Sequence, residues 1–541
     1  MCRWILLFLP TSIFLLSGCD KQHATVKKPD KEFRVCISED PATLDPRKGG
    51  DAISSQLQFM LFEGLTQLNE DGSVSCAQAH EILNSFDKKK YTFLLGKTQW
   101  SNGDTVTSHD FEKAWKTILD PKFPSPNAHL LYPIKGAQQA KEGILPMDDV
   151  AIFCPDKNTL IVELEQPTPY FLQLISFCVF SPVHSSMDLK DVTDNKSQKT
   201  PLVSNGPFIL SEWKHQNEVT LIKNKLYRIE EKTGIDVIYI SVIPSEMTAL
   251  KMYERGELDF LGHPFSSLSN EELSESQLEN ELHLIPAAAT TFVTFNTQNK
   301  FFKNKNIRKA FSFALDRELI VKNITPFKEY CATRIIPPTL VGNKNKDLFT
   351  KHNPSLAKDL LLQGMDELEI KKEDLETLTF FYSKTEHNHK IAQVMQQQWY
   401  EVLGIMINLQ ALESKNLLHK LSNRDYDVAL TMWRAQYCDP ASILERFQYA
   451  LNIKNYPGWE NTAFTDCMNQ STSQNDTKRF QTLEQAELIL AEDLPLLPIY
   501  HWNLSFLHKK RVTNIEFSPV GGIFFERINI DIHKYDKIEE K

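Results

Sequence analysis

Tyr91-Thr92-Phe93-Leu94-Leu95, then Trp100-Ser101-Asn102-Gly103-Asp104, then Val106-Thr107, Asp110-Phe111 and Trp115 form the stretch that decides the fold. The first block alternates apolar and polar residues and reads as a strand with one buried face. The second carries turn chemistry, with Asn and Gly together. In the third, Thr107 and Asp110 have the spacing of a capping box. Phe111, Ala114, Trp115, Ile118 and Leu119 then fall on one face of a helix over 107–120, which Asp120-Pro121 stops. This is a strand, a tight turn and an amphipathic helix.

The same alternation continues outward. Strands are expected at 160–164, 236–242, 292–296, 405–409 and 426–431. Helices are expected at 245–255, 307–323, 391–403 and 480–492. No repeat is visible. Helices interleaved with strands imply α/β lobes with covered sheets. The 541 residues suffice for several such units, and 41% apolar with 24% charged residues is an ordinary globular balance. The net charge of −10 disfavours nucleic acid as a partner, because neutralising phosphates needs a basic surface.

The N-terminus points to the cell envelope. Arg3 is the one charged side chain before Asp20, and an apolar run ends in Leu16-Ser17-Gly18-Cys19. That run is too short to span a bilayer as a mature helix. The pattern matches a bacterial lipobox. Residues 1–18 are therefore expected to be a signal peptide, Cys19 the lipidated residue, and 19–32 a polar tether. A plain secretory signal with a chance cysteine is the alternative. The other seven cysteines beyond Cys2 are widely spaced. They leave at least one thiol unpaired and give no zinc motif, whose paired ligands sit roughly two to four residues apart. One or two disulfides are compatible with the count.

A search for catalytic motifs finds no G-x-S-x-G, G-x-G-x-x-G, G-x-x-x-x-G-K or H-E-x-x-H. His387 and His389 flank Asn388, but no further metal ligand is in a recognisable position, and they read as exposed loop histidines. Asp148-Asp149 and Glu271-Glu272 read as solvated faces, and Asp45 as a turn residue. No metal, no cofactor and no enzymatic activity are expected.

Taken in order, these blocks resemble the extracytoplasmic solute-binding lipoproteins of peptide ABC importers, the oligopeptide- and dipeptide-binding family. The Y-T-F, W-S-N-G, V-T and D-F run is the most specific match. Leu44-Asp45-Pro46, Phe62-Glu63-Gly64-Leu65, Asn205-Gly206-Pro207-Phe208 with Trp213, Gly256-Glu257-Leu258-Asp259, Ile307-Arg308-Lys309-Ala310, Leu315-Asp316-Arg317 and the run from Tyr426-Asp427 to Trp433 and Asp439-Pro440 accompany it. The resemblance runs from about Phe33 to about His533. It implies a two-lobed periplasmic-binding-protein-like α/β fold with a hinge and an extra small domain. Lobe I would comprise 33–61, 186–286 and 503–541, the small domain 62–185, and lobe II 287–502. It also implies a monomer on the periplasmic side of the envelope, lipid-anchored to the membrane. There it would capture oligopeptides or peptide-like solutes between the lobes and hand them to permease subunits. A peptidoglycan-derived peptide, a metal chelate or haem on the same fold is the alternative, and an exported hydrolase a more distant one.

For the ligand, the resemblance points to a few positions. Oligopeptide-binding members place an Asp after W-x-A to take the peptide's α-ammonium. Here Trp433-Arg434-Ala435 is followed by Gln436 and Tyr437, so the charge is missing. Asp439 is near but matches a different position. Leu421 and Leu430 stand where Arg is found in some members, and Asn388 where a His is found. Phe292, Thr294, Trp433, Tyr437 and His501 are candidate wall residues, each with core packing as the alternative. The grip on both ends of a zwitterionic peptide is thus expected to be weaker than in those members.

Overall fold

The computed structural model describes residues 31–189, 202–268, 273, 278–325, 327–341, 347–349, 351–474 and 476–532. The signal segment, Cys19 and Glu271-Glu272 lie outside them.

An 11-stranded mixed sheet runs through both lobes. Two strands of 13 residues, His283–Phe295 and Leu496–His508, pair antiparallel at its middle. The first half of Leu496–His508 lies against the second half of His283–Phe295, which in turn pairs with Val428–Arg434. Its far end, Phe506 to His508, pairs with Phe260–Gly262, and the sheet continues through Glu32–Ile37, Val237–Val242, Glu218–Lys223 and Phe208–Lys214. The two long strands thus carry the chain from one lobe to the other. Their register shifts between Pro286 and Thr290 and again between Thr291 and Phe292. Such irregularities bend a strand and raise its local twist.

A separate four-stranded antiparallel sheet holds the deciding stretch, with Lys90–Leu95 between Ala79–Asn84 and Thr159–Glu163. The helix Ser108–Leu119 follows the turn as expected. The Asp110 carboxylate accepts from the Thr107 N–H at 2.8 Å, and Phe111, Ala114, Trp115, Ile118 and Leu119 are all buried. The turn is closed by a bond from Gly103 N–H to the Trp100 carbonyl, with Gly103 at φ +91°, where a side chain would be strained.

The remaining motif blocks are joints. Ser101 N–H donates to the Ser204 carbonyl at 2.8 Å. Asn205 and Glu63 exchange two bonds, Glu63 N–H to Asn205 Oδ1 and Asn205 Nδ2 to the Glu63 carbonyl. Between them Gly206 lies so near Leu61 that a Cβ would sit 2.5 Å from the Leu61 carbonyl carbon, so only glycine fits. Asp259 is fully buried and takes hydrogen bonds from both Arg34 and Arg511, tying three chain segments together. Arg308 donates to the carbonyls of Phe302, Lys303, Asp493 and Leu494. Asp45 is more than a turn residue, since it is buried in an ion pair with Arg47.

Several expectations need correction. The single helix over 307–323 is two, Lys305–Phe313 and Arg317–Ile324. Asp316 breaks it by capping the second, accepting from Leu319 N–H at 2.9 Å. The strand expected at 405–409 is Asn408–Leu412, and the one at 426–431 is Val428–Arg434. The histidine pair is helical, because Thr385 caps Glu386–Leu403 one turn earlier than the apolar stripe begins. His387 Nε2 meets the Tyr500 hydroxyl at 3.1 Å and His389 Nδ1 the Tyr382 hydroxyl at 2.7 Å, so they have separate partners. Cys36, Cys76, Cys154, Cys178, Cys331, Cys438 and Cys467 are all free thiols, so no disulfide joins them.

Candidate functional site

Residues from several distant parts of the chain line a partly open cavity of about 290 Å³. One wall comes from Asp51, Gln56 and Met60, on or beside the helix Ala52–Leu61. The joint described above supplies Glu63, Gly64 and Pro207, so the motif blocks hold the cavity floor. Asn127, Phe177 and Ser181 line it as well, with Ile523 and Glu526 from the C-terminal segment. Arg434, Ala435, Gln436 and Tyr437 complete the lining where the strand Val428–Arg434 ends.

Of the candidate residues, Ala435, Gln436 and Tyr437 line this cavity. Gln436 Nε2 donates to Asn127 Oδ1 at 3.1 Å, and its Oε1 lies 3.4 Å from His129 Nε2, so it ties two distant chain segments together. Lys454 Nζ approaches the same imidazole nitrogen at 3.0 Å. Burial and this ammonium hold His129 down at about 3, and burial brings Lys454 down to about 8. The Tyr437 ring stacks on Tyr170 at 4.7 Å, and its hydroxyl donates to Glu445 at 2.8 Å. Glu445 is pushed up by burial.

Phe292, Thr294, Asn388, Trp433, Asp439 and His501 do not line the cavity, and each has its own partners. Phe292 and Trp433 pack with ring centroids 4.5 Å apart, and Phe447 lies 4.9 Å from Trp433. Thr294 Oγ1 lies 3.0 Å from the Tyr426 hydroxyl. His501 is 6% exposed and bonds Thr290 Oγ1 at 2.9 Å. Because that hydroxyl donates to the Ile335 carbonyl, His501 Nδ1 carries the proton and donates. Asn388 Nδ2 donates to Ser383 on the first turn of its helix. Asp439 is saturated: Arg479 grips both its oxygens at 2.7 Å, and Ala441 N–H donates to Oδ1 at 2.8 Å. Its charge is thereby already neutralised by a buried guanidinium.

The residue that sequence reasoning passed over is Arg434, the variable position inside W-x-A. Alternation could have found it. Trp433 points into the core, so its strand neighbour must point the other way, and that way is the cavity.

Among the described residues one cluster has the composition of a metal site. It is His109, Glu112 and Cys154, with ligand atoms within 4.8 Å of one another. Glu112 is already paired with Lys116 at 2.8 Å, and burial pushes the Cys154 thiol up to about 12. A metal there would have to displace a cation and strip a proton from a reluctant thiol.

Two lobes joined by long strands beside a ligand-sized cavity are the architecture of an extracytoplasmic solute-binding protein. The chain belongs to the bacterial extracellular solute-binding proteins, family 5, whose model matches residues 77–455. It is 36% identical over 514 residues to the oligopeptide-binding protein OppA of Bacillus subtilis, covering 94% of each chain. To the dipeptide-binding protein DppE of the same organism it is 33% identical over 528 residues, covering 94% of this chain and 95% of the relative. Listeria monocytogenes OppA bound to peptide superposes with a TM-score of 0.76 at 25% identity, over 92% of this chain and 99% of that one.

Proposed function

We propose that this protein captures peptides in the interlobe cavity and delivers them to the permease of an ABC importer. The observation that carries the reading is the cavity itself, lined by residues from distant parts of the chain, among them Gln436 directly after Trp433-Arg434-Ala435. The relatives named for oligopeptides and dipeptides supply the ligand class. Capture follows from geometry. A ligand touching Gln56 or Glu526 on one side and Ala435 or Gln436 on the other makes its full set of contacts only when the lobes are together, so binding favours closure. The finer picture is a monomer held to the outer face of the membrane through Cys19, with lobe I as 33–61, 186–286 and 503–541, the small domain as 62–185 and lobe II as 287–502.

The test is to incubate the protein with a mixed peptide pool and identify the retained species by mass spectrometry. Intact, enriched peptides support the reading. Cleaved products would indicate a hydrolase, and no enrichment would remove peptides as the ligand class. Cys19→Ala should abolish labelling by a fatty-acid analogue.

A further inference from the structure

Arg434 stands alone in the cavity wall. Its backbone is fully engaged: it pairs with Ala289 across the sheet, and its carbonyl accepts from Arg446 at 3.2 Å. Its guanidinium makes no hydrogen bond and no ion pair with any described residue, although it is half-buried. A desolvated guanidinium without an anion is unfavourable in the empty protein, and a cavity-lining one is relieved when an anion enters.

The acids that line the same cavity do not serve it. Asp51 caps the helix Ala52–Leu61, accepting from Ser54 N–H at 2.8 Å. Glu63 is filled by Tyr227 Oη at 2.7 Å, Arg228 Nε at 2.7 Å and Gln78 Nε2 at 2.6 Å. Glu526 accepts from Gln67 at 2.8 Å, and its nearest cation is Arg527 at 3.9 Å. None of the three is within ion-pair distance of Arg434. Its titratable neighbour is His263, which burial and the Arg434 charge hold down at about 4, so that imidazole is neutral and adds no second positive charge beside it. A guanidinium presents parallel N–H groups that match a carboxylate in two-point fashion.

We propose that Arg434 is the docking point for a ligand carboxylate, so that the cavity selects peptides presenting an acidic group beside Gln436. This rests on the peptide reading above and adds the ligand's charge to it. The carboxylate can be an acidic side chain or the peptide's own C-terminus.

Tetrapeptide pools separate these sources. One pair of pools fixes Glu or Gln at one position, and a second pair compares free C-terminal acids with C-terminal amides. Each is equilibrated with wild type, Arg434→Gln and Arg434→Lys, and affinities of the enriched peptides are measured by calorimetry. Wild type should prefer the carboxylate form in at least one pair by about tenfold to hundredfold, the span expected of one charge-assisted contact. Arg434→Gln should lose that preference, and Arg434→Lys should keep part of it. Melting curves verify that the variants are folded. Peptide binding with no carboxylate preference in either pair, or a preference that survives Arg434→Gln, would overturn the proposal and leave the peptide reading standing. Binding of no pool would overturn both.

Discussion

Asp439 and Arg434 lie five positions apart on the same short run, and the structure treats their charges in opposite ways. Asp439 is buried with every oxygen matched, two bonds from Arg479 and one from a backbone N–H. Arg434 is half-buried with no matched nitrogen among the described residues. The same contrast holds more widely. Charges in the body of the lobes, such as Arg334 with Glu487 and Asp259 with Arg34 and Arg511, each meet an opposite charge, even where a single nitrogen such as Arg334 Nη1 or Arg479 Nε has no hydrogen-bond partner. A complete charge pairing fixes chain segments to one another and leaves no net charge for a ligand. An incomplete one on a cavity wall is where a ligand contributes binding energy.

The largest effect should come from breaking a complete set. Asp439→Ala leaves the Arg479 guanidinium buried without its partner, and losing one member of such a pair typically costs about 3–5 kcal/mol. Urea unfolding should show this loss. Replacing both, as Asp439→Leu with Arg479→Met, should recover most of it, because an apolar pair of similar volume carries no desolvation penalty. A double variant as unstable as the single one would mean that the site depends on the charges themselves.

A smaller effect sharpens the comparison with a buried group that folding keeps neutral. His501 is held at about 3 by burial, with the charges of Arg317 and Arg334 adding to it, against about 6.5 in the unfolded chain. Its folded value is depressed, so between those limits the unfolded chain binds the extra proton. Stability from this group is present above pH 6.5 and is lost as pH falls toward 3. Between pH 7 and pH 5 the loss should be about 2 kcal/mol. His501→Gln, which cannot titrate, should flatten that part of the stability profile relative to wild type. An unchanged slope would place the pH dependence on other groups.

The contrast also explains what could be read from the sequence. The helix Ser108–Leu119 was legible to within one residue at each end because its cap, stripe and stop agree. Motif blocks such as Phe62-Glu63-Gly64-Leu65 and Asn205-Gly206-Pro207-Phe208 identified the family. Their physical meaning, a joint between Glu63 and Asn205, depends on residues 142 positions apart. The break at Asp316 was hidden because apolar periodicity runs on through it. The candidate site was legible in part. Ala435, Gln436 and Tyr437 sit at the cavity, while Phe292, Thr294, Trp433 and His501 have the residue types of a ligand wall and fill the core. Residue type cannot separate those two roles, since each group mixes aromatic with polar side chains. Arg434 was missed because attention went to the positions that the resemblance marks, although alternation with the core-facing Trp433 points it to the other face.

The smallest expected effect asks whether an incomplete site can be completed from the protein's side. Gln436 lines the cavity next to Arg434, and its amide donates to Asn127 Oδ1. Asn127 is itself fixed, with Nδ2 donating to the Gly49 carbonyl at 2.7 Å, so its oxygen stays turned toward residue 436. Gln436→Asp shortens the side chain, gives up the Asn127 bond and places a carboxylate in the cavity. Asp439 cannot rival it for an amine, because Arg479 holds both oxygens. A peptide with a free α-amine should therefore gain about tenfold in affinity, or about 1.4 kcal/mol, over its N-acetylated form. The new carboxylate is also close enough in sequence to compete for Arg434, so the variant should show a weaker preference for acidic peptides than wild type does. Calorimetry with one free and one acetylated peptide measures the first effect, and an acidic and amide pair the second. Equal affinities for the free and acetylated peptides in Gln436→Asp would mean that the ligand's amine does not reach this end of the cavity.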